Sequence, residues 1–308
     1  MTPLYIIKYK YNGKIKHIQI KDESKNIYTN SIKDRPAKYI IEEAYKNNEI
    51  NKDSIICEVT SGNMGIALAR VCNDYGNKVI ILMPKFASIE RRKKLEEHNA
   101  TVILTDSFSE AFKKAEELSN DKNIYLTKQF ENINNANSYI EFCKELEKET
   151  SIFPAVILGV GTGGSLNGIG RYLKNKYNTK VYAVEPLQTK ILSTGYSHGP
   201  HKIEGLSDGL VPKLYPKDIV DDIYSIDEVD AICMAQKIKK ELNIGVGISS
   251  GANMLGAILS NIDNIITVFP DNDEKYYSTD LYNFDLKSIL VNQIELIEIK
   301  KVTTSPVS

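Results

Sequence analysis

The residues with the most chemical potential stand in short, separated stretches. "NSIKDRPAKY" (30–39) holds Lys33 between an isoleucine and an Asp-Arg pair. By type alone it is one more solvated charge, because exposed lysines are common. Three glycine-containing loops elsewhere change its standing. "VGTGGSLNG" supplies Gly161, Thr162, Gly163, Gly164 and Ser165. Glycines let the backbone approach an anion closely, and a following helix offers free N–H groups, so this loop suits a phosphate. It is neither a Walker A loop nor GxGxxG, and a plain strand-to-helix turn would read the same way. "EVTSGNMG" offers the hydroxyls of Thr60 and Ser61 and the amide of Asn63, which suit a carboxylate and a polar ring substituent. Simple capping of the next helix would use the same residues. "GVGISSGANM" puts Ser249 and Ser250 at a third such junction.

No acidic residue lies about 20 positions beyond the Gly161 loop in a ribose-binding setting, since Glu185 in "AVEP" reads as a strand end. A dinucleotide is therefore disfavoured. One phosphate loop, one carboxylate loop and a hydroxyl-bearing serine point to a smaller phosphorylated ligand. If Lys33 is the reactive amine, pyridoxal 5'-phosphate fits, because it needs a lysine Schiff base and a phosphate cradle.

The elements that must position these loops are legible from residue 54 onward. "SIICEV", "KVIILMP", "TVILT", "AVILGV", "KVYAVEP" and "IITVFP" read as buried strands rich in Val and Ile. Between them lie amphipathic stretches such as "SIERRKKLEEHN", with Ser88 as N-cap and Asn99 as a left-handed stop, and "SEAFKKAEELSN". The alternation predicts an α/β class with mainly parallel sheets covered by helices on both sides, and ligands at the carboxyl ends of the strands. The opening "LYIIKYKYNGKIKHIQIKDE" alternates instead as an antiparallel hairpin about Asn12-Gly13. "KELEKETSIFPA" (144–155) reads as a boundary between two α/β halves, and the segment 291–308 carries no interpretable motif.

Bulk properties exclude several classes. The 308 residues carry a net charge of −1 with 42% hydrophobic and 26% charged residues, so nothing favours nucleic acid or an anionic membrane. No apolar run reaches membrane length, and "MTPLYIIKYKYNGK" lacks a signal-peptide pattern. Cys57, Cys72, Cys143 and Cys233 have no CxxC spacing and no histidine partner, so they are expected to be reduced and buried in a cytoplasmic protein without a metal site.

Taken together, "TPL" at 2–4, "NSIKDRPA", "TSGNMGIALA", "MPKFASIERRKKL", "QFENINNAN", "GTGGSLNGIGRYLK", "AVEP", "GPHKIEGLSDGLVP", "GISSGAN" and "FPDNDEKYYST" run in one order from residue 2 to about residue 280. In this the chain resembles the cysteine synthase (O-acetylserine sulfhydrylase) and cystathionine β-synthase family of fold-type II pyridoxal-phosphate enzymes. The resemblance implies two three-layer α/β/α domains with the active site between them. A larger cofactor-binding domain would comprise 1–36 and 146–290, a smaller mobile domain 37–145, and a tail 291–308.

It also implies roles. Lys33 would hold the cofactor as an internal aldimine and shuttle the α-proton. Asn63 would bond the ring hydroxyl and Ser249 the pyridine nitrogen, while Gly161, Thr162, Gly163, Gly164 and Ser165 would cradle the phosphate. Thr60, Ser61, Asn63 and Gln129, with position 64 beside them, would clamp the amino-acid carboxylate. The implied activity is β-replacement through an aminoacrylate, with O-acetyl-L-serine and sulfide giving L-cysteine and acetate. A homodimer is the usual assembly of the family, and a serine acetyltransferase partner has no support in the residues.

Three positions depart from the family. Met64 replaces a threonine and cannot donate a hydrogen bond. "EGLSDGL" replaces a glycine-rich loop bordering the substrate's Cβ, adding Ser207 and Asp208 after Gly205. A carboxylate there would repel hydrosulfide but could orient and deprotonate water or a thiol. That opens a second reaction, in which cysteine is consumed, hydrogen sulfide released and L-serine formed; lanthionine or cystathionine formation differs only in the nucleophile. The alternative for Asp208 is an outward-facing carboxylate paired with a lysine. Asp227 in "SIDEVD" reads as a helix N-cap. From another class, the scaffold could be a ligand-binding protein without catalysis, against which the retained Lys33, Asn63, Gln129 and Ser249 argue.

Overall fold

The chain opens with the hairpin its alternation predicts. In the computed structural model, which describes residues 1–303 except Phe86, His198 and Asp208, β1 (Leu4–Tyr11) and β2 (Lys14–Asp22) pair antiparallel. Asn12 and Gly13 join them with φ of +49° and +73°, the left-handed pair that matches strand twist in a two-residue turn.

The remaining strands in chain order are β3 (Ile55–Val59), β4 (Lys78–Pro84), β5 (Thr101–Thr105), β6 (Ile124–Leu126), β7 (Ala155–Gly159), β8 (Lys180–Pro186), β9 (Asp222–Ile226), β10 (Ile265–Phe269) and β11 (Glu295–Lys301). They form two sheets. The larger has the order β11-β1-β2-β10-β7-β8-β9, and the smaller β5-β4-β3-β6. Every pairing from β2 to β9 is parallel, as is the whole smaller sheet. This is the α/β class that the alternating elements predict. All six strands read from the apolar runs form; β6, β9 and β11 are additions. β11 pairs antiparallel with β1, so part of the segment without a motif extends the edge of the larger sheet.

Both sheets are packed on both faces. Ile7, Ile20, Val184 and Phe269 meet Met234 and Leu255 on one side of the larger sheet, and Leu4, Leu158 and Val268 meet Phe142 and Ile169 on the other. The smaller sheet sends Ile56 and Ile81 toward Ile40 and Leu68, and Cys57 and Leu82 toward Ala111 and Ala115. Helix Asp34–Lys46 shows why it forms: Ala37, Ile40, Ile41 and Ala44 are buried at helical spacing on one face. Each such isoleucine contributes about 2 kcal/mol of burial.

Two turns end as their residues require. Asn99 closes helix Ile89–Glu97 at φ +59°, and Asp227 caps helix Glu228–Leu242 by accepting from Val229 N at 2.8 Å. Glycine at position 163 begins helix Gly164–Tyr177 at φ +83°, where a side chain would also meet the Leu214–Tyr215 backbone at 2.8 Å. The carboxyl ends of β3, β7 and β10 face one cleft between the sheets, and the loops that follow them build its walls.

Candidate active site

Lys33 reaches the cleft because the chain on either side of it is pinned. Asp34 accepts from Tyr28 N and Thr29 N, both at 3.0 Å, and from the Thr29 hydroxyl, which fixes the left-handed turn at Asn30. Ile32 N donates to Pro270 O at 2.7 Å, and Ser31 bridges to Asp271 just beyond β10. Lys33 then starts helix Asp34–Lys46, half-buried, at the carboxyl end of the larger sheet.

Around it the cleft has two inner parts and an outer vestibule. One inner part is lined by Lys33, Asn63, Gly161, Thr162, Ser165, Gly205 and Ser249. The other joins Lys33 and Asn63 to Thr60, Ser61, Met64 and Gln129. The vestibule, about 610 Å³, adds Ser207 and shares Ser61, Glu204 and Gly205. Thus the expected lysine, phosphate-loop, ring and carboxylate-loop residues converge although they come from five parts of the chain. Gly163 and Gly164 of the same loop do not line the cleft, and Gly164 packs on the Asn135 side chain. Met64 is buried in the core of the smaller sheet while touching the cleft. Asp208 lies outside the described residues.

The two inner walls differ in how they are made. At Gly161 a Cβ would meet Gly205 O at 2.1 Å, so this wall is bare backbone pressed against the neighbouring loop. The Thr60–Asn63 wall presents side chains instead, with Thr60 and Gln129 almost wholly buried. Asn135 ties the two together, donating from Nδ2 to Gln129 O at 2.8 Å and to Thr162 Oγ1 at 3.0 Å.

Five further residues have no role assigned by the sequence. Asp271, 1% exposed, accepts through Oδ2 from Asn63 Nδ2 at 2.8 Å and from the Tyr276 hydroxyl at 2.9 Å. Arg91, also buried, lies with its guanidinium 4.9 Å from the Tyr276 ring centroid and pairs with Glu204 across the cleft. Burial raises the Tyr276 hydroxyl well above its usual range, so it stays a donor to Asp271. Glu58, at the end of β3, is a buried carboxylate without a cation among the described residues, and desolvation pushes it up to about 7 despite the donors around it. Their only signal in the sequence is position, since each lies at or just beyond a strand's carboxyl end or inside a stretch that carries the resemblance.

Several observations fit a phosphorylated, aromatic carbonyl cofactor. The buried oxygen of the Asn63 amide has no partner among the described residues. A glycine loop precedes the free N–H groups of a long helix, and a lysine faces both. Fold and site therefore fit a two-lobed α/β enzyme that uses pyridoxal phosphate. The chain belongs to the pyridoxal-phosphate dependent enzyme family, whose pattern it matches over residues 1–271. It is 39% identical to cysteine synthase B of Campylobacter jejuni over 268 residues, covering 82% of this chain and 88% of that one. A cysteine synthase of Staphylococcus aureus is 38% identical, over 83% of this chain and 86% of its own length. A hydrogen sulfide-producing enzyme from Fusobacterium nucleatum superposes with a TM-score of 0.93 at 39% identity, covering 99% and 96% of the two chains. A mutant of that enzyme is known in complex with an α-aminoacrylate intermediate.

Proposed function

We propose that this protein catalyses β-replacement on a small amino acid, with O-acetyl-L-serine and sulfide giving L-cysteine and acetate as the leading reaction. The observation that carries this is the convergence of Lys33, Asn63, Thr162, Ser165 and Ser249 on one cleft beside the Thr60–Gln129 wall. Pyridoxal phosphate, when bound, supplies the electron sink that makes the proton at the substrate's Cα removable.

The chain's own residues do the rest. The loop Gly161–Ser165 and the helix behind it hold the phosphate by backbone N–H groups and hydroxyls. Asn63 and Ser249, which line the same part of the cleft, would orient the ring. Thr60, Ser61, Asn63 and Gln129 hold the substrate carboxylate, and the Lys33 amine takes and returns the proton at Cα. One bond from Cβ to the leaving group breaks and one from Cβ to the nucleophile forms. Residues 37–145 are assigned to a unit that closes over 1–36 and 146–290, with Arg91–Glu204 and Asn63–Asp271 as contacts made on closure.

A second reading is favoured by the close likeness to a hydrogen sulfide-producing enzyme and by the "EGLSDGL" loop. In it cysteine loses hydrogen sulfide, and Asp208 takes a proton from water as it adds to Cβ, giving L-serine. The Ser207 hydroxyl, buried without a partner among the described residues and next to Asp208 in the chain, is a second polar group for that water. One experiment separates the two: the holoenzyme is given cysteine alone, then O-acetylserine with sulfide, and the amino-acid products are identified. Cysteine from the second mixture alone supports the leading reaction. Serine with sulfide from cysteine alone supports the second, and the role of Asp208 in it then fails if Asp208→Asn keeps the full rate.

Loss of cofactor absorbance and of turnover in Lys33→Ala is expected in either case, and retention of both would remove Lys33 from its role. A cytoplasmic homodimer is the proposed state; the four buried, free cysteines are in keeping with a reducing compartment.

A further inference from the structure

Glu58 is a carboxylate that a merely structural strand end does not need. It is 3% exposed at the end of β3, one residue before Val59 and two before Thr60. Its Oε1 accepts from Val59 N at 2.8 Å, and its Oε2 accepts from Gln129 N at 3.0 Å and from the Thr127 hydroxyl. Gln129 in turn donates from Nε2 to Val59 O at 2.9 Å. The carboxylate thus staples the turn after β6 to the end of β3, and the two pieces it joins are the two halves of the wall that carries Thr60, Ser61 and Gln129. The bonds are directional: three donors converge on one group, and an ionised carboxylate accepts all of them with its two oxygens.

We infer that Glu58 is a positioning residue for substrate: it holds Gln129 and the Thr60–Asn63 loop at the spacing that binds the amino-acid carboxylate. The inference rests on the proposed role of those residues as the carboxylate clamp. Glu58 touches no reacting atom and acts through Gln129 and Val59. A neutral group of the same shape would keep the fold but lose the geometry. An amide has one oxygen, and its NH₂ would face the N–H of Gln129 or Val59, donor against donor.

Burial also makes this staple titrate where enzymes work, since Glu58 is pushed up to about 7 by desolvation while the three donors pull it down. The titratable neighbour on its own strand is Cys57, whose thiol burial raises to about 12, so it stays neutral through that range. On the turn, Lys128 is exposed to solvent. No charged side chain contributes to the Glu58 shift among the described residues. Protonation near neutrality removes an acceptor from the staple, so substrate affinity is expected to weaken as pH falls through that region.

The test compares wild type with Glu58→Gln, Thr127→Val and Gln129→Ala as holoenzymes, reading KM and kcat for the amino-acid substrate from pH 5.5 to 8.5, about 1.5 units either side of the titration. Thermal melting and cofactor content are recorded for each. For Glu58→Gln, KM is expected to rise ~10-fold with kcat within ~3-fold, and the pH dependence of KM near 7 to disappear. Thr127→Val, which removes one donor and keeps the charge, is expected to raise KM by ~3-fold and to keep the pH dependence. A folded Glu58→Gln with unchanged KM and pH profile, alongside a raised KM in Gln129→Ala, overturns the inference and spares the clamp. Unchanged KM in all three variants overturns both. If Glu58→Gln does not fold, Thr127→Val decides in its place: an unchanged KM there, with Gln129→Ala raised, rejects the staple.

Discussion

The loops after β3 and β7 start from the same design and solve opposite problems. Each leaves the carboxyl end of a buried parallel strand and opens a helix at the cleft. The loop after β7 removes side chains, so that Gly161 lies against Gly205 O and Gly163 takes a left-handed φ over the Leu214–Tyr215 backbone. The loop after β3 keeps side chains, presenting Thr60, Ser61 and Asn63, with Gly62 alone left bare against the Arg91 side chain. Backbone N–H groups cannot rotate away, so the first loop is specified by sterics and tolerates no added atom. Side chains can rotate, so the second needs braces, which are Asp271 on Asn63 and Glu58 on Val59 at its base. On the proposed roles, a phosphate would be held by shape and a carboxylate by orientation.

The sharpest way to break this contrast is Gly161→Ala. With only 2.1 Å to Gly205 O, the loop must shift, and cofactor retention is expected to fall by roughly 100-fold, measured by absorbance after dialysis. If the variant keeps its cofactor, the steric account of that loop is wrong. Asp271→Asn tests the braced loop. Oδ2 accepts both bonds, so an amide oxygen can take its place, but the NH₂ then falls at the Oδ1 position, which has no partner among the described residues, leaving a buried donor unpaired at a cost of about 1–3 kcal/mol. Chemical denaturation reads that loss, and activity should fall with it.

Next comes pH. Glu58 has its folded value near 7 against an ordinary 4.5, so the folded state holds a proton that the unfolded chain has released. Below 4.5 both states are protonated and Glu58 adds no slope. Between 4.5 and 7 stability falls as pH rises, by up to about 3 kcal/mol, and above 7 the penalty is constant. The Glu58→Gln variant should lack this part of the slope, and an unfolding series at several pH values would show it. The smallest effect is expected at the rim, where Ser278 donates to Glu90 from N at 2.8 Å and from Oγ at 2.7 Å. Ser278→Ala removes one of these exposed bonds, and about 0.5 kcal/mol or less should be lost. A larger loss would move the braces from the loop to the domain rim.

How much of this was legible in the sequence follows from the same contrast. The glycine loop was readable because missing side chains are visible in one dimension, and so were the apolar strands β3, β4, β5, β7, β8 and β10. The three-residue β6 was too short, and β9 and β11 too polar, to stand out. β11 forms because it can pair with β1, a partner nearly three hundred positions away. Thr60, Ser61 and Asn63 were readable as polar groups at a junction, but capping would have used the same types. Asp271, Glu204, Arg91 and Glu58 looked like ordinary charges. Only burial and long-range partners distinguish them, and neither is encoded locally.

By itself the sequence determined the class: alternating apolar runs and amphipathic stretches specify mainly parallel sheets, and glycine-bearing loops at strand ends fit a ligand cleft. It also determined which residue types that cleft would offer, Lys33 among them. The tertiary structure alone decided that Lys33 meets Asn63 and Ser249, which are 30 and 216 positions away (63 − 33; 249 − 33), in one cleft. It alone decided that Glu58 loses its water and becomes a staple rather than a surface charge. The physical reason is that secondary structure follows near-neighbour periodicity. Desolvation and hydrogen-bond partnership depend instead on which distant segments pack together.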